Sequence, residues 1–254
     1  MGSHCGLERL AEFLGRHGPG PTPGLLAAFE RYRRLLLDWN RRVNLTAVAD
    51  PAEVETRHFI DSLLCLEIPG FKDLLRTGPT LADVGTGAGF PGVPIRLVFP
   101  EVSLWLIESN LKRAKFLSAL VGELGLDRVE VIPRRAEDVG RDRAYREKAD
   151  LVVARAVARL PTLVEVTLPL LAPGGRAVYW KGPPDLPDLE PSAQFIRRLG
   201  AEPAGTFGPF GTEYGLRRVF IVLQKTSPSP ETFPRRPGIP FKRPAVRLKQ
   251  PAPG

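Results

Sequence analysis

The stretch Leu81-Ala82-Asp83-Val84-Gly85-Thr86-Gly87-Ala88-Gly89-Phe90-Pro91-Gly92 constrains this chain more than any other. A short apolar run meets an acid, three glycines follow at alternate positions, and Pro91-Gly92 opens a second apolar run from Val93 to Phe99. The pattern predicts a strand, a tight loop and a helix start. Glycine is required where φ turns positive or where a ligand meets bare backbone, and the helix end behind the loop offers free N–H groups. The spacing is not the Gly-x-Gly-x-x-Gly that seats a pyrophosphate, and no Lys-Ser/Thr pair follows to cradle phosphates. An acid before the first glycine, with Glu108 closing a second apolar strand about 20 residues on, suits a ligand with an amino-acid end and a ribose. S-adenosylmethionine has that constitution. The competing reading, glycines that only make a tight turn, leaves Glu108 unexplained.

The 254 residues suffice for one large core or for one domain with an extension. No apolar run reaches 18 residues and no basic-then-apolar leader precedes the body, so neither a membrane span nor secretion is expected. Cys5 and Cys65 stand far apart, which argues against a disulfide framework and for a reducing cytoplasm. His4, His17 and His58 are too scattered to suggest a metal, and none is expected. The formal net charge of +8 is concentrated late in the chain. From residue 225 onward, Lys225, Arg235, Arg236, Lys242, Arg243, Arg247 and Lys249 face a single acid, Glu231. A polyanion met partly by this tail is the functional expectation, and a solvated, solubilising tail is the plainer one.

Helical spacing of Leu25, Leu26, Phe29, Tyr32, Leu35, Leu36 and Trp39 marks an amphipathic N-terminal region, and Asp50-Pro51 opens a further helix through Leu64. From Thr80 the chain alternates. Strands are predicted near 80–84, 102–108, 129–133, 150–154, 175–181 and 216–224, with helices near 92–98, 111–124, 136–147, 161–171 and 187–200. Such alternation argues a parallel sheet covered on both faces, which binds ligands beyond the carboxyl ends of its strands. The domain reading is an N-terminal helical extension over 1–70, a ligand-binding domain over 71–225, and a basic, proline-rich tail over 226–254 that is extended or disordered.

Other strand ends supply further candidates. After strand three, Ala136 and Glu137 could meet an adenine edge, although Glu137 could equally be a first-turn carboxylate. Strand four ends at Arg155 and strand five at Lys181, both candidates to face ligand or substrate.

Taken in order, Trp39-Asn40 with Asn44-Leu45-Thr46, Arg57-His58 with Asp61-Ser62-Leu63, the loop through Phe90-Pro91-Gly92, Lys112-Arg113 with Phe116-Leu117, Arg155-Ala156-Val157-Ala158, Lys181-Gly182 and Phe233-Pro234-Arg235-Arg236-Pro237-Gly238-Ile239-Pro240 resemble the RsmG family, also called GidB. These are bacterial small-subunit (16S) ribosomal RNA guanine-N7 methyltransferases. The resemblance runs from about residue 39 to 245 and leaves the residues before about 24 unmatched. It implies a Rossmann-like class I methyltransferase fold: a mostly parallel seven-stranded sheet with helices on both faces. It also implies S-adenosylmethionine as cofactor and one guanosine of the small-subunit RNA as target, alone or in the assembling or assembled subunit. Cofactor contacts carried over by motif are Gly85, Gly87, Phe90, Glu108, Ser109, Asn110, Ala136, Glu137 and Arg155. Glu108 stands where aspartate is common in relatives.

The residues bear independently on the acceptor. Carbon-5 of cytosine needs a cysteine nucleophile at a strand end, and Cys65 follows Leu64 in a helical pattern. Exocyclic amines on adenine usually call for an Asn/Asp-Pro-Pro-aromatic turn after strand four, where this chain has Arg155-Ala156-Val157. A ribose hydroxyl needs help to lose its proton, which Lys181 could give, so ribose 2'-O transfer is the runner-up. Guanine N7 offers a free lone pair and needs only placement and exclusion of water. No catalytic acid or base is therefore assigned. Arg135, Lys181, Arg217, Arg235 and Arg236 are expected to hold RNA. A non-catalytic RNA- or ribosome-binding module and a nicotinamide oxidoreductase are the readings from other classes.

Overall fold

A computed structural model describes residues 6–248. The chain opens with two helices, α1 (Glu8–His17) and α2 (Pro23–Val43). The side chain of Thr22 caps α2 by accepting from the Leu25 N–H, and Asp50 caps the next helix by accepting from Ala52. That helix winds on through α3 (Pro51–Val54), a π-helical segment (Glu55–Ile60) and α4 (Asp61–Leu63) before α5 (Phe71–Arg76). Within the π segment stand Arg57 and His58, part of one of the family-like motifs.

Beyond residue 80 the elements alternate: β1 (Thr80–Val84), α6 (Gly92–Val98), β2 (Ser103–Ile107), α7 (Leu111–Leu124), β3 (Val129–Ile132), α8 (Ala136–Val139), β4 (Ala149–Arg155), α9 (Leu160–Thr167), β5 (Leu171–Lys181), α10 (Leu189–Arg198), β6 (Ala201–Phe210), β7 (Arg218–Lys225) and α11 (Ile239–Lys242). The seven strands form one sheet in the order β3-β2-β1-β4-β5-β7-β6, with β7 antiparallel to both neighbours. Strand order reverses between β1 and β4, the junction at which an open parallel sheet leaves a crevice at its carboxyl edge.

Alternate residues of each strand feed opposite apolar layers. Leu81, Leu104, Leu106, Leu151, Val153 and Val178 join a cluster with α1, α2, α6 and α7, while Ala82, Ile107, Val152, Ala154 and Tyr179 join one with α9 and α10. Leu10, Phe13, Phe29 and Tyr32 of the N-terminal helices belong to the first layer, so those helices share the sheet's core.

Three expectations are corrected. The strand Ala201–Phe210 falls outside the predicted set, because Pro203, Gly205, Gly208 and Pro209 mask it; it lies at the sheet edge, where such residues are tolerated. The helix expected over 136–147 ends at Val139. The tail is neither extended nor disordered within the described residues, which leave out Lys249 and the last two of its prolines. Phe233 is buried against Phe195, and the half-buried Arg146 donates to the carbonyls of Ser229, Pro230 and Phe233. Lys225, counted above with the tail's charges, is interior: its ammonium donates to the carbonyls of Leu168 and Leu199 and to Ser229. Burial lowers its pKa to about 8.

Candidate functional site

Asp83 knits the glycine loop to the sheet. Fully buried at the end of β1, its Oδ2 accepts from Thr86 Oγ1 (2.6 Å) and from the Gly92 N–H (2.8 Å). Residue 92 must be glycine for this: a Cβ there would lie 2.8 Å from that same oxygen. Burial pushes the Asp83 carboxyl up to about 7, against the two donors that pull it down. Its other oxygen, Oδ1, is buried without a hydrogen-bond partner. Gly85 turns the chain at φ +67°, and a Cβ would sit 2.8 Å from Val157, so the loop packs directly on the segment after β4.

Glu108, 5% exposed at the end of β2, spans the same edge. One carboxylate oxygen accepts from the Gly87 N–H (3.0 Å) and the other from the Asn110 N–H (2.7 Å). Asn110 in turn caps α7, its side chain accepting from Lys112 and Arg113. A cavity of about 100 Å³ opens here, lined among others by Gly85, Glu108, Ser109, Arg135, Ala136 and Glu137. A Cβ on Gly87 would meet nothing within 4 Å, so the space above the loop is open as well. A larger groove of about 630 Å³, bounded by Arg9, Ala52, Arg57 and Tyr214, holds none of the loop or strand-end residues.

A second cluster occupies the seam with the N-terminal helices. Asp61, 1% exposed, accepts from Arg155 Nη1 (2.7 Å) and from Arg218 Nε (2.8 Å), and its carbonyl accepts from Trp180 Nε1 (2.8 Å). Phe90 is covered by Tyr32 and His58, whose ring centroids lie 5.2 and 4.6 Å away, with the Arg155 guanidinium 5.2 Å from its own centroid. Tyr32 donates to the carbonyl of Ala88 (2.5 Å), which ties α2 to the glycine loop. His58 is held at both ring nitrogens, by Thr46 Oγ1 (2.7 Å) and by the Arg57 carbonyl (3.0 Å). Burial, then the Arg155 charge, lower its pKa to about 4, so the ring is neutral at physiological pH. Thr46 belongs to a turn closed by Asn40, whose Oδ1 accepts from Leu45 and Thr46.

The residues expected at the cofactor thus divide. Gly85, Glu108, Ser109, Ala136 and Glu137 line one cavity, and Gly87 and Asn110 adjoin it through Glu108. Phe90 and Arg155 lie in the seam cluster instead, because Asp61 and the aromatic stack hold them there. Glu137 accepts from the Gly238 N–H (2.8 Å), a tail contact that its place in the sequence does not announce.

Among the residues expected to hold RNA, Arg135, Arg217 and Arg236 are exposed. Lys181 is buried and donates to the Ala158 carbonyl (2.8 Å), and burial lowers its pKa. Arg235 forms a two-pronged pair with Glu165, whose side chain is fully buried. Both cations are therefore engaged by partners within the chain. Asp61, present in the sequence only as part of the Arg-His-x-x-Asp-Ser-Leu motif, and Arg218, which no motif marks, are drawn into this cluster by their ion pair. Among the described residues, no group of three or more His, Cys, Asp or Glu could hold a metal, and no helix is long and apolar enough to cross a membrane.

This strand order, with a glycine loop and an acid at neighbouring strand ends, defines a Rossmann-like methyltransferase fold. Solved structures agree. Cofactor-bound Rv0187 from MTB superposes with a TM-score of 0.55 at 19% identity, covering 85% of this chain and 95% of that one. A mutant of MtNAS in complex with S-adenosylmethionine superposes with a TM-score of 0.54 at 15% identity, covering 87% and 78%.

The family profile of GidB, rRNA small subunit methyltransferase G, matches residues 25–203, and the chain belongs to that family. Ribosomal RNA small subunit methyltransferase G of Pelotomaculum thermopropionicum is 43% identical over 216 residues, 85% of this chain and 89% of that protein. Its counterpart from Moorella thermoacetica is 40% identical over 238 residues, covering 92% and 96%.

Proposed function

We propose that this protein transfers the methyl group of S-adenosylmethionine to N7 of one guanosine in small-subunit (16S) ribosomal RNA. The observation that carries this reading is Glu108, whose carboxylate bridges the Gly87 and Asn110 N–H groups beside an open cavity, in a chain of the GidB family. The residues fit the cofactor. The loop backbone at Gly85 and Gly87 and the orphaned Oδ1 of Asp83 suit its amino-acid end, Glu108 its ribose hydroxyls, and Ala136 its base. Bound there, S-adenosylmethionine supplies an electrophilic methyl group on a sulfonium. Ser109 and Asn110 complete the ribose end of the site.

The chain's own contribution is placement. N7 of guanine carries a lone pair and no proton, so transfer requires in-line approach and dryness rather than a base. The side chains that titrate near the loop support this. His58 is neutral but held at both nitrogens, and Lys181 spends its ammonium on Ala158. A ribose 2'-O reaction would call on Lys181 as a base, and that contact counts against it. The exposed Arg135, Arg217 and Arg236 are assigned to the RNA phosphates, and the N-terminal helices to holding the loop through Tyr32. The substrate is the RNA alone or within the small subunit, met in the cytoplasm, where the free, buried Cys65 stays reduced. Titration with S-adenosylmethionine in a calorimeter, followed by transfer from labelled cofactor to unmethylated small-subunit RNA, tests the reading. Binding without transfer, with RNA affinity intact, would favour a non-catalytic binding module.

A further inference from the structure

We propose that residues 233–241 form a strap that is part of the cofactor site, and that Phe241 is the residue through which the strap contacts the bound nucleobase. The proposal rests on the assignment of the Glu108 cavity to S-adenosylmethionine.

Three observations carry it. Phe241 lines the same cavity as Gly85, Glu108, Ala136 and Glu137. It is one of two large hydrophobic side chains left exposed among the described residues, at 46%, so an aromatic face stands at the cavity with surface still to cover. The segment that carries it is fastened along its length. Arg146 donates to the Phe233 carbonyl (2.8 Å), and the Arg235 guanidinium and N–H both reach Glu165. The Gly238 N–H donates to Glu137 (2.8 Å), and Thr162 Oγ1 donates to the Pro240 carbonyl (3.0 Å). These partners stand on α8 and α9 and between α8 and β4, beside the ends of β3 and β4.

The strap is also stiff. Pro234, Pro237 and Pro240 fix φ at every third position, so little chain entropy remains to be lost when a ligand meets it. A tail that served only to carry positive charge would need neither the buried Glu165 partner nor an aromatic at the cavity. Glu137 is the hinge of the arrangement, because the carboxylate that borders the cavity is also the strap's acceptor. Phe241 then closes the side of the cavity that Ala136 and Glu137 begin, and the base stacks or packs on its ring.

The test is calorimetric titration of the full chain with S-adenosylmethionine and with S-adenosylhomocysteine. Phe241→Ala is expected to weaken both ligands about tenfold, the usual scale for removing an aromatic from a base. The losses match because the two ligands share the adenosine and differ only in the methyl group. Phe241→Trp restores binding to within about twofold on the same grounds. The unfolding midpoint of the ligand-free Phe241→Ala variant stays at the wild-type value, which separates a contact from a structural role. Arg235→Gln, which removes the guanidinium's two bonds to Glu165 and leaves the backbone one, weakens both ligands in the same direction. If Phe241→Ala binds like wild type while Glu108→Ala does not, the strap has no place in the site and the proposal falls alone. A wild-type chain that binds neither ligand overturns the proposal together with the assignment of the cavity.

Discussion

Asp61 and Asp83 show what single carboxylates accomplish here. Asp61 holds Arg155 and Arg218 together across the seam between the N-terminal helices and the sheet. Removing one partner of a buried ion pair leaves uncompensated charge. Asp61→Ala should therefore destabilise the fold by about 3 kcal/mol in urea unfolding; a loss near zero would mean that the cluster contributes no net stability. Asp83 and His58 set opposed pH dependences. With its pKa raised from 3.8 to about 7, folded Asp83 keeps a proton that the unfolded chain releases. Its contribution is present at low pH and is lost as pH rises from about 4 to about 7. His58, lowered from 6.5 to about 4, refuses a proton that the unfolded chain accepts, so stability is lost as pH falls through that window. Asp83→Asn should leave the His58 slope alone, so unfolding free energy should climb more steeply from pH 4 to 6.5 than in wild type. Parallel curves would contradict the raised Asp83 value.

At the scale of elements, what was legible in the sequence is what local pattern encodes. The glycine loop and the acid closing β2 follow from residue type and spacing, and the structure has them. The edge strand over 201–210 was illegible because Pro203, Gly205, Gly208 and Pro209 look like a loop, and only pairing with β7 makes them a strand. The tail misled for a related reason. Proline and charge predict disorder when their partners are unknown, and those partners, Arg146, Glu137 and Glu165, lie 70 to 101 residues away in the chain. Arg155 and Lys181 were found as strand-end residues, but their commitments to Asp61 and Ala158 are tertiary. One consequence concerns the strap. Arg146→Ala removes donors to the Ser229, Pro230 and Phe233 carbonyls, and should cost about 2 kcal/mol. Hydrogen exchange should then rise first at residues 229–241; uniform exchange across the sheet would show that the strap is not a separate cooperative element.

For the molecule as a whole, the sheet's reversal between β1 and β4 brings the two clusters side by side. Gly85 packs on Val157, Tyr32 bonds to Ala88, and Arg155 leans over Phe90, so loop, N-terminal helices and β4 form one connected packing unit. On this account one side, around Glu108, receives the methyl donor, and the exposed Arg217 and Arg236, with Arg135 at the border of the same cavity, receive the RNA. The claim joining these parts is transfer to a guanine nitrogen without a base. It is tested most directly by incubating the protein with labelled S-adenosylmethionine and unmethylated small-subunit RNA, then mapping the methylated nucleotide by mass spectrometry. The account requires the methyl group on N7 of one guanosine; a methyl group on a ribose oxygen would contradict it.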